Sequence, residues 1–246
     1  MAEQQVERKA VEVAAGILIR KDGTILMGSR PEGKPYAGYW EFPGGKFEPG
    51  ETAHEALARE LREELDLDIG ASTPWLVKVI DYPHARVRLH FRKCHDWKGE
   101  PRSMEHQQFG FYHRARLPAG ELLPMDDLIA GWIELPRVAA WIPQKGGDVE
   151  ARVARAKEAG AGLIWVEGEK PVSSDSGWTG SFARSEAEVK LAAANHADFS
   201  FIRRGVTGLG EEHEIPVYLP AESASEAAAA EESGAQGVWK SEAKRS

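Results

Sequence analysis

Glu60, Glu63 and Glu64 stand at i, i+3 and i+4, a spacing that gathers side chains along one side of a helix. Like charges so placed destabilise a helix by roughly 0.2–0.5 kcal/mol per pair. Glu51 adds a carboxylate just upstream, and Arg59, four residues before Glu63, offsets part of the charge. A solvated acidic face is the ordinary reading of such a run. The alternative is a divalent-metal site. Mg²⁺ takes oxygen ligands, keeps several waters and bridges to substrate phosphates. One carboxylate on the same helix can then stay free to accept a proton from water.

That chemistry needs a rigid helix, and the flanking residues predict one from Glu51 to Asp66. Ala53, Ala56, Leu57, Leu61 and Leu65 recur at three- and four-residue steps as one apolar stripe, and Thr52 with Glu55 has the form of a capping box. Residues 31–50, rich in Gly and Pro, read as loop. Strands are predicted at Val11–Arg20, Thr24–Gly28, Trp75–Asp81, Arg86–Lys93 and Phe109–Tyr112, with a hairpin turn at Lys21-Asp22-Gly23. In Arg86–Lys93, Val87, Leu89 and Phe91 alternate with basic residues. Asp126–Ile133 reads as a helix or turn.

Beyond Ile133–Arg137 the composition shifts. Strands Val138–Ile142, Gly162–Val166, Phe199–Arg203, Ile215–Leu219 and Gly237–Trp239 alternate with helices Asp148–Ala159, Glu186–Ala194 and Ala224–Ser233. Such alternation predicts a parallel sheet with covering helices. Gly168–Ser185 reads as a loop, and both chain ends read as frayed tails. The expected division is 1–134 and 135–246.

The chain has 246 residues, 42% of them hydrophobic and 28% charged, which excludes collagen-like and wholly disordered chains. No run approaches ~18 consecutive apolar residues, so no membrane helix is expected. The N-terminus shows no signal-peptide pattern. A single cysteine, Cys94, excludes an internal disulfide and makes the cytoplasm the simplest compartment. The net charge of −8 divides about evenly between the halves, so no stable grip on nucleic acid is expected. An acidic protein that recruits a divalent cation can still bind a phosphorylated small molecule.

Gly45, five residues, Glu51, seven residues, then Arg59-Glu60-Leu61-Arg62-Glu63-Glu64 and Leu65-Asp66-Leu67 resembles the signature box of the Nudix hydrolase family. The family's last glycine is Asp66 here, at a helix end where Asp tolerates the left-handed conformation. Phe42-Pro43-Gly44-Gly45-Lys46 is similar to the segment preceding that helix in the MutT-like branch, and the resemblance runs from about Val11 to Ile133. It implies an α+β Nudix fold, a mixed sheet sandwiched by helices. It also implies a Mg²⁺ site, with Mn²⁺ as substitute, formed by the carbonyl of Gly44 with Glu60, Glu63 and Glu64. Gly45 and Glu51 shape the loop, and Arg59 orients a glutamate. Trp97-Lys-Gly-Glu-Pro, followed by Glu105, is similar to a segment carrying a further metal-facing glutamate. The implied reaction is hydrolysis of a nucleoside triphosphate to the monophosphate and pyrophosphate. Glu60 is the first candidate base and Glu63 and Glu64 the principal ligands, roles that family members exchange.

The same resemblance places Arg30 and Phe42 at the nucleotide pocket. Phe42 either stacks on a base or belongs to the core; Arg30 either meets the nucleotide or lies on the surface. Asp126 falls where the branch reads oxidised guanine with an asparagine. Asp126 and Asp127 are a base-reading pair or a helix N-cap. An 8-oxo-dGTP diphosphatase serving nucleotide-pool sanitation and replication fidelity is therefore the first expectation. Hydrolysis of ADP-ribose or a dinucleotide, or a non-catalytic nucleotide sensor, are the alternatives.

Residues 135–246 resemble a shortened thiamine-phosphate-synthase-like barrel through Leu135-Pro-Arg-Val-Ala-Ala-Trp-Ile-Pro, Ala197-Asp-Phe-Ser-Phe-Ile, Ile215-Pro-Val-Tyr-Leu-Pro and Gly234-Ala-Gln-Gly-Val-Trp. About five strands are too few for a closed eight-stranded barrel. The expectation is a smaller α/β domain, an incomplete (β/α) barrel without catalysis, that completes its sheet through a partner or a homodimer.

Overall fold

The computed structural model describes residues 9–83, 85–104, 107–116, 121–145, 147–168, 177–206, 209–210 and 212–241. Most of the two predicted tails lies outside the described residues. The chain divides into two compact units, Met1–Ala130 and Gly131–Ser246. Among the described residues no helix is long and apolar enough to cross a membrane.

The first unit runs through β1 (Val11–Leu18), β2 (Ile25–Ser29), β3 (Trp40–Glu41), β4 (Gly44–Lys46), α1 (Ala53–Leu65), β5 (Asp68–Ile69), β6 (Ser72–Asp81), β7 (Arg86–Cys94), β8 (Trp97–Lys98) and β9 (Phe109–Tyr112), and the division falls within α2 (Pro124–Ile133). A mixed four-stranded sheet has the order β4-β1-β7-β6, with β1 parallel to β7 and the outer pairs antiparallel. A second, antiparallel sheet has the order β3-β2-β9.

The predicted hairpin turn forms, and the pairing of its arms is short. Gly23 takes φ 81° and the chain turns, with the Arg20 amide donating to the Thr24 carbonyl at 2.9 Å and Ile19 bridging to Ile25. β1 continues into the four-stranded sheet while β2 joins the other, so the arms diverge.

Helix α1 forms as its local signals require. The Thr52 hydroxyl accepts from the Glu55 amide, and the Glu55 carboxylate accepts from the Thr52 amide. Its stripe of Ala56, Leu57, Leu61 and Leu65 is buried against Ala14, Leu18 and Leu26. Each leucine contributes roughly 1.5–3 kcal/mol by burial. That packing fixes the helix, and the acidic side faces away from it.

The second unit runs through β10 (Val138–Ile142), α3 (Val149–Glu158), β11 (Leu163–Val166), β12 (Gly180–Ala183), α4 (Glu186–Ala194), β13 (Phe199–Ile202), β14 (Val217–Pro220), α5 (Ala224–Glu232) and β15 (Gly237–Ser241). Six strands pair, all parallel, in the order β11-β10-β15-β14-β13-β12. The sequence yields about five, because β12 lies in the stretch read as loop. Gly180 is needed there. A Cβ on it would sit 2.3 Å from the Phe199 ring of the paired strand.

Every strand carries a ring to a common interior, Trp141, Trp165, Phe182, Phe201, Tyr218 and Trp239, and β13 adds Phe199 beside Phe201 and Tyr218. β11 and β12 are opposite edges, which a flat sheet would hold about 24 Å apart at ~4.8 Å per strand. Yet Trp165 and Phe182 have ring centroids 6.3 Å apart. The sheet is therefore rolled around its rings. Ala140, Ile142, Ile164 and Val166 turn outward against Ala156 of α3.

Candidate active site

Arg59 organises the acidic side of α1. Its Nε and Nη2 donate to the two oxygens of Glu51, at 2.7 and 3.0 Å. Nη1 reaches Glu60 at 2.9 Å and Glu63 at 3.2 Å, and Nη2 also donates to the Lys46 carbonyl at 2.9 Å. One guanidinium thus holds three carboxylates and the loop before the helix. The fork geometry of arginine suits such a task. The Arg59 bond and the Glu48 amide hold the Glu51 carboxyl below its usual range, and the guanidinium is held charged by the same carboxylates.

The two glycines bring backbone to the helix. A Cβ on Gly45 would fall 2.2 Å from the Glu60 carboxyl carbon, so only glycine lets this strand pass beside Glu60. Gly44 has φ 147°, and a Cβ there would strike the Ala14 carbonyl at 2.1 Å. Gly44 and Glu64 line one cleft with Ser29, Lys34, Glu41 and Gln107, about 370 Å³ including open solvent.

Gly44 offers a carbonyl, and Glu60, Glu63 and Glu64 offer carboxylates, an all-oxygen set that suits a hard divalent cation. Among the described residues no group of three His, Cys, Asp or Glu side chains is drawn close enough to hold a metal ion. Glu60 and Glu63 are instead held by Arg59, with the Glu63 side chain 61% exposed. The residues fit a metal by donor chemistry, on a helix whose backbone is fixed. Glu105 lies outside the described residues.

Asp66 takes φ 54° and ψ 35°, and its amide donates to the Arg62 carbonyl. The left-handed cap that the family signature assigns to glycine is thus made by aspartate. The carboxylates upstream keep their places.

At the other end of the cleft, Arg30 pairs with Glu41 through Nη1 and donates from Nε to the Pro35 carbonyl at 2.7 Å. Burial raises the Glu41 carboxyl above its usual range, and Arg30 opposes the shift. Phe42 is buried, with its ring edge-on to Phe91 at 6.1 Å. The residue is buried and also lines the cleft, so it has a place in each of the two readings offered by the sequence. Its amide donates to Asp126 Oδ1 at 3.0 Å. Asp126 is buried, and its carboxyl is pushed up to about 7, first by burial and then by Glu41.

The structure parts the two aspartates. Asp127 is exposed and pairs with Arg114 at 3.3 Å. Neither is an N-cap, because the helix already begins at Pro124. What sets the helix is a short ladder: the Trp40 amide donates to the Glu121 carbonyl and the Leu123 amide to the Trp40 carbonyl. Arg30 and Asp126 stand behind the cleft wall, acting on it through Glu41 and Phe42. Lys34 and Gln107, which line it, were missed by sequence reasoning. Lys34 was hidden in the loop, and Gln107 had as its only signal its place beyond Glu105.

The model of the NUDIX domain family matches residues 10–141. An 8-oxo-dGTP diphosphatase of Proteus vulgaris is 36% identical over 95 residues, spanning 39% of this chain and 85% of that protein. A CTP pyrophosphohydrolase of Escherichia coli K12 is 39% identical over 99 residues, 40% of this chain and 73% of that one. The crystal structure of a MutT NUDIX hydrolase from Burkholderia pseudomallei superposes with a TM-score of 0.45 at 30% identity, over 50% of this chain and 95% of its own.

Proposed function

The chain belongs to the NUDIX domain family, and from that premise we propose that it is a divalent-metal-dependent hydrolase cleaving nucleoside triphosphates to nucleoside monophosphate and pyrophosphate. The observation that carries the reading is the Arg59 fork, which holds Glu51, Glu60 and Glu63 beside the Gly44–Gly45 strand. A sensor that only binds nucleotide has no need of so many carboxylates at one place.

Gly44, Glu60, Glu63 and Glu64 would hold Mg²⁺ or Mn²⁺, with Glu105 as the further ligand that the family resemblance implies. When bound, the cation supplies charge neutralisation at the phosphates and a more acidic water. Glu60 accepts the proton of the attacking water as its oxygen bonds to phosphorus, and the pyrophosphate oxygen leaves. Arg59 positions Glu60, and Glu51 holds Arg59 in turn.

Oxidised guanine is the base we favour, since relatives carry the name 8-oxo-dGTP diphosphatase. Asp126, whose carboxyl burial pushes up to about 7, stands behind the cleft wall and bears on the base through Phe42, whose amide it holds. The second unit we read as a non-catalytic scaffold, shaped like an incomplete barrel and filled by rings.

The test is pyrophosphate release with Mg²⁺ across nucleoside triphosphates that include 8-oxo-dGTP and CTP, beside ADP-ribose and a dinucleotide, with Glu63→Gln as control. Preference for 8-oxo-dGTP, lost in the variant, is expected. Turnover only of ADP-ribose or the dinucleotide would overturn the substrate and keep the site. Binding without turnover of any compound would favour the sensor.

A further inference from the structure

Gln107 lines the cleft together with Ser29, Lys34, Glu41, Phe42, Gly44 and Glu64. Its side-chain Oε1 is buried, and among the described residues it has no hydrogen-bond partner. No other described residue of the cleft lining leaves a buried side-chain oxygen or nitrogen in that state. Ser29 Oγ accepts from the Gln108 amide at 3.1 Å, and Glu41 is paired with Arg30. A buried acceptor left unpaired costs free energy, and native proteins keep few of them. An orphaned oxygen in the wall of a cleft calls for a donor that arrives with the ligand.

The chemistry of a nucleoside triphosphate narrows that donor. Ionised phosphates present acceptors only, so they cannot satisfy a carbonyl oxygen. The donor therefore belongs to the sugar or to the base, and position separates the two. Gly44 and Glu64 mark the phosphate end of the cleft, and Glu41 and Phe42 its base end. The chain approaches Gln107 from the phosphate end, where the Met104 amide donates to the Glu64 carbonyl at 3.0 Å. It leaves into β9, where the Ser29 amide donates to the Gln108 carbonyl at 2.7 Å and Gly28 pairs with Phe109. Glu41 pairs with Gly28 from the opposite side of β2. The strands of Glu41 and Gln107 are thus two spacings apart, about 10 Å. Gln107 stands between the phosphate end and the base end, and the sugar is the part of the nucleotide that joins them.

We propose that Gln107 reads the sugar: its Oε1 accepts from the 3′-hydroxyl, which ribo- and deoxyribonucleoside triphosphates share, and so Gln107 is a specificity-determining residue. This rests on the nucleotide reading above. A sugar without that hydroxyl would leave the oxygen buried and unpaired in the complex, so the site rejects it.

The test compares pyrophosphate release from dGTP and 2′,3′-dideoxy-GTP by the native protein, Gln107→Met and Gln107→Glu. The native protein is expected to favour dGTP by roughly 5- to 100-fold in kcat/KM. Gln107→Met keeps an unbranched side chain and removes the acceptor, and the preference should vanish. Gln107→Glu keeps an acceptor, and its added charge acts on both nucleotides alike, so the preference should persist. A merely structural role would move both nucleotides together and leave their ratio untouched. Turnover without a native preference, or a preference kept in Gln107→Met, would overturn the proposal and leave the function standing. Loss in Gln107→Met of discrimination between dGTP and dITP instead would hand the oxygen to the base and overturn the sugar contact. Calorimetric titration of the native protein with dGMP and dideoxy-GMP in Mg²⁺ reads the contact without turnover. Tighter binding of dGMP, with no triphosphate turned over, would overturn the hydrolase and keep the sugar contact. Absence of both binding and turnover would overturn the two together.

Discussion

Helix α1 gathers carboxylates and separates them with a guanidinium, whereas the sheet of the second unit gathers rings and lets them touch. Glu51, Glu60 and Glu63 all face Arg59. Trp141, Trp165, Phe182 and Trp239 face one another. The first arrangement stores like charge at one place, and folding alone gives no reason for it. The second removes apolar area from water and contributes stability directly. Chemistry is therefore sought in the first unit and packing in the second.

The largest effect expected is on turnover. Glu60→Gln should lower kcat by roughly 10²- to 10⁴-fold with little change in melting temperature. Glu167→Gln, in a carboxylate of the second unit bonded to the Gln144 amide, should leave turnover intact. Equal losses from both would erase the contrast.

Next comes packing. Phe201 is fully buried, and Phe201→Ala should cost about 3–5 kcal/mol in urea unfolding of the second unit. Turnover under native conditions should persist. Loss of activity with the unit still folded would show that the rings serve the chemistry.

The smallest effect concerns Asp126. Burial pushes its carboxyl up to about 7 in the folded protein, against an ordinary value of 3.8. Between these values the folded state holds a proton that the unfolded chain has lost, so stability falls as pH rises and levels off above about 7. Asp126→Asn keeps an acceptor for the Phe42 amide and removes the charge. It should stabilise the protein at pH 8 by on the order of 2–4 kcal/mol, a gain that vanishes toward pH 4. Arg30, Glu41 and Tyr82 also act on this site, so the variant with Glu41→Gln would separate their shares. A flat difference across pH would show that Asp126 is ionised throughout.

What the sequence showed clearly was local. The α1 stripe, the Thr52–Glu55 box and the spacing of the glutamates all act within a few turns of one helix, so one helix's worth of sequence contains them. What it hid depended on distant partners. Strand β12 exists because β13 pairs with it and because Gly180 leaves room for the Phe199 ring, while its own Gly- and Ser-rich surroundings read as loop. The ends of Asp22-Gly23 promised a hairpin, and the two sheets pulled its arms apart. Asp126 and Asp127 are neighbours in sequence, and only the ladder between Trp40 and residues 121–123 decides which of them turns inward. The left-handed backbone of Tyr36, with φ 61°, has no sequence signature, since nothing in the letters marks a tyrosine as left-handed.

The strand order of the second unit also bears on how it assembles. β15 lies between β10 and β14, so β10 and β11 form one ribbon, β12, β13 and β14 another, and β15 alone joins them. The pairing of Val138 with Val238 closes a loop of about a hundred residues, whose entropy must be lost before the contact rewards it. The two ribbons can form early and independently, and the joining strand sets the slow, late step. A chain stopped before Gly237 would lose the strand that pairs the two ribbons and uncover Trp141, Phe182 and Phe201 where Trp239 packs on them, a species prone to aggregate.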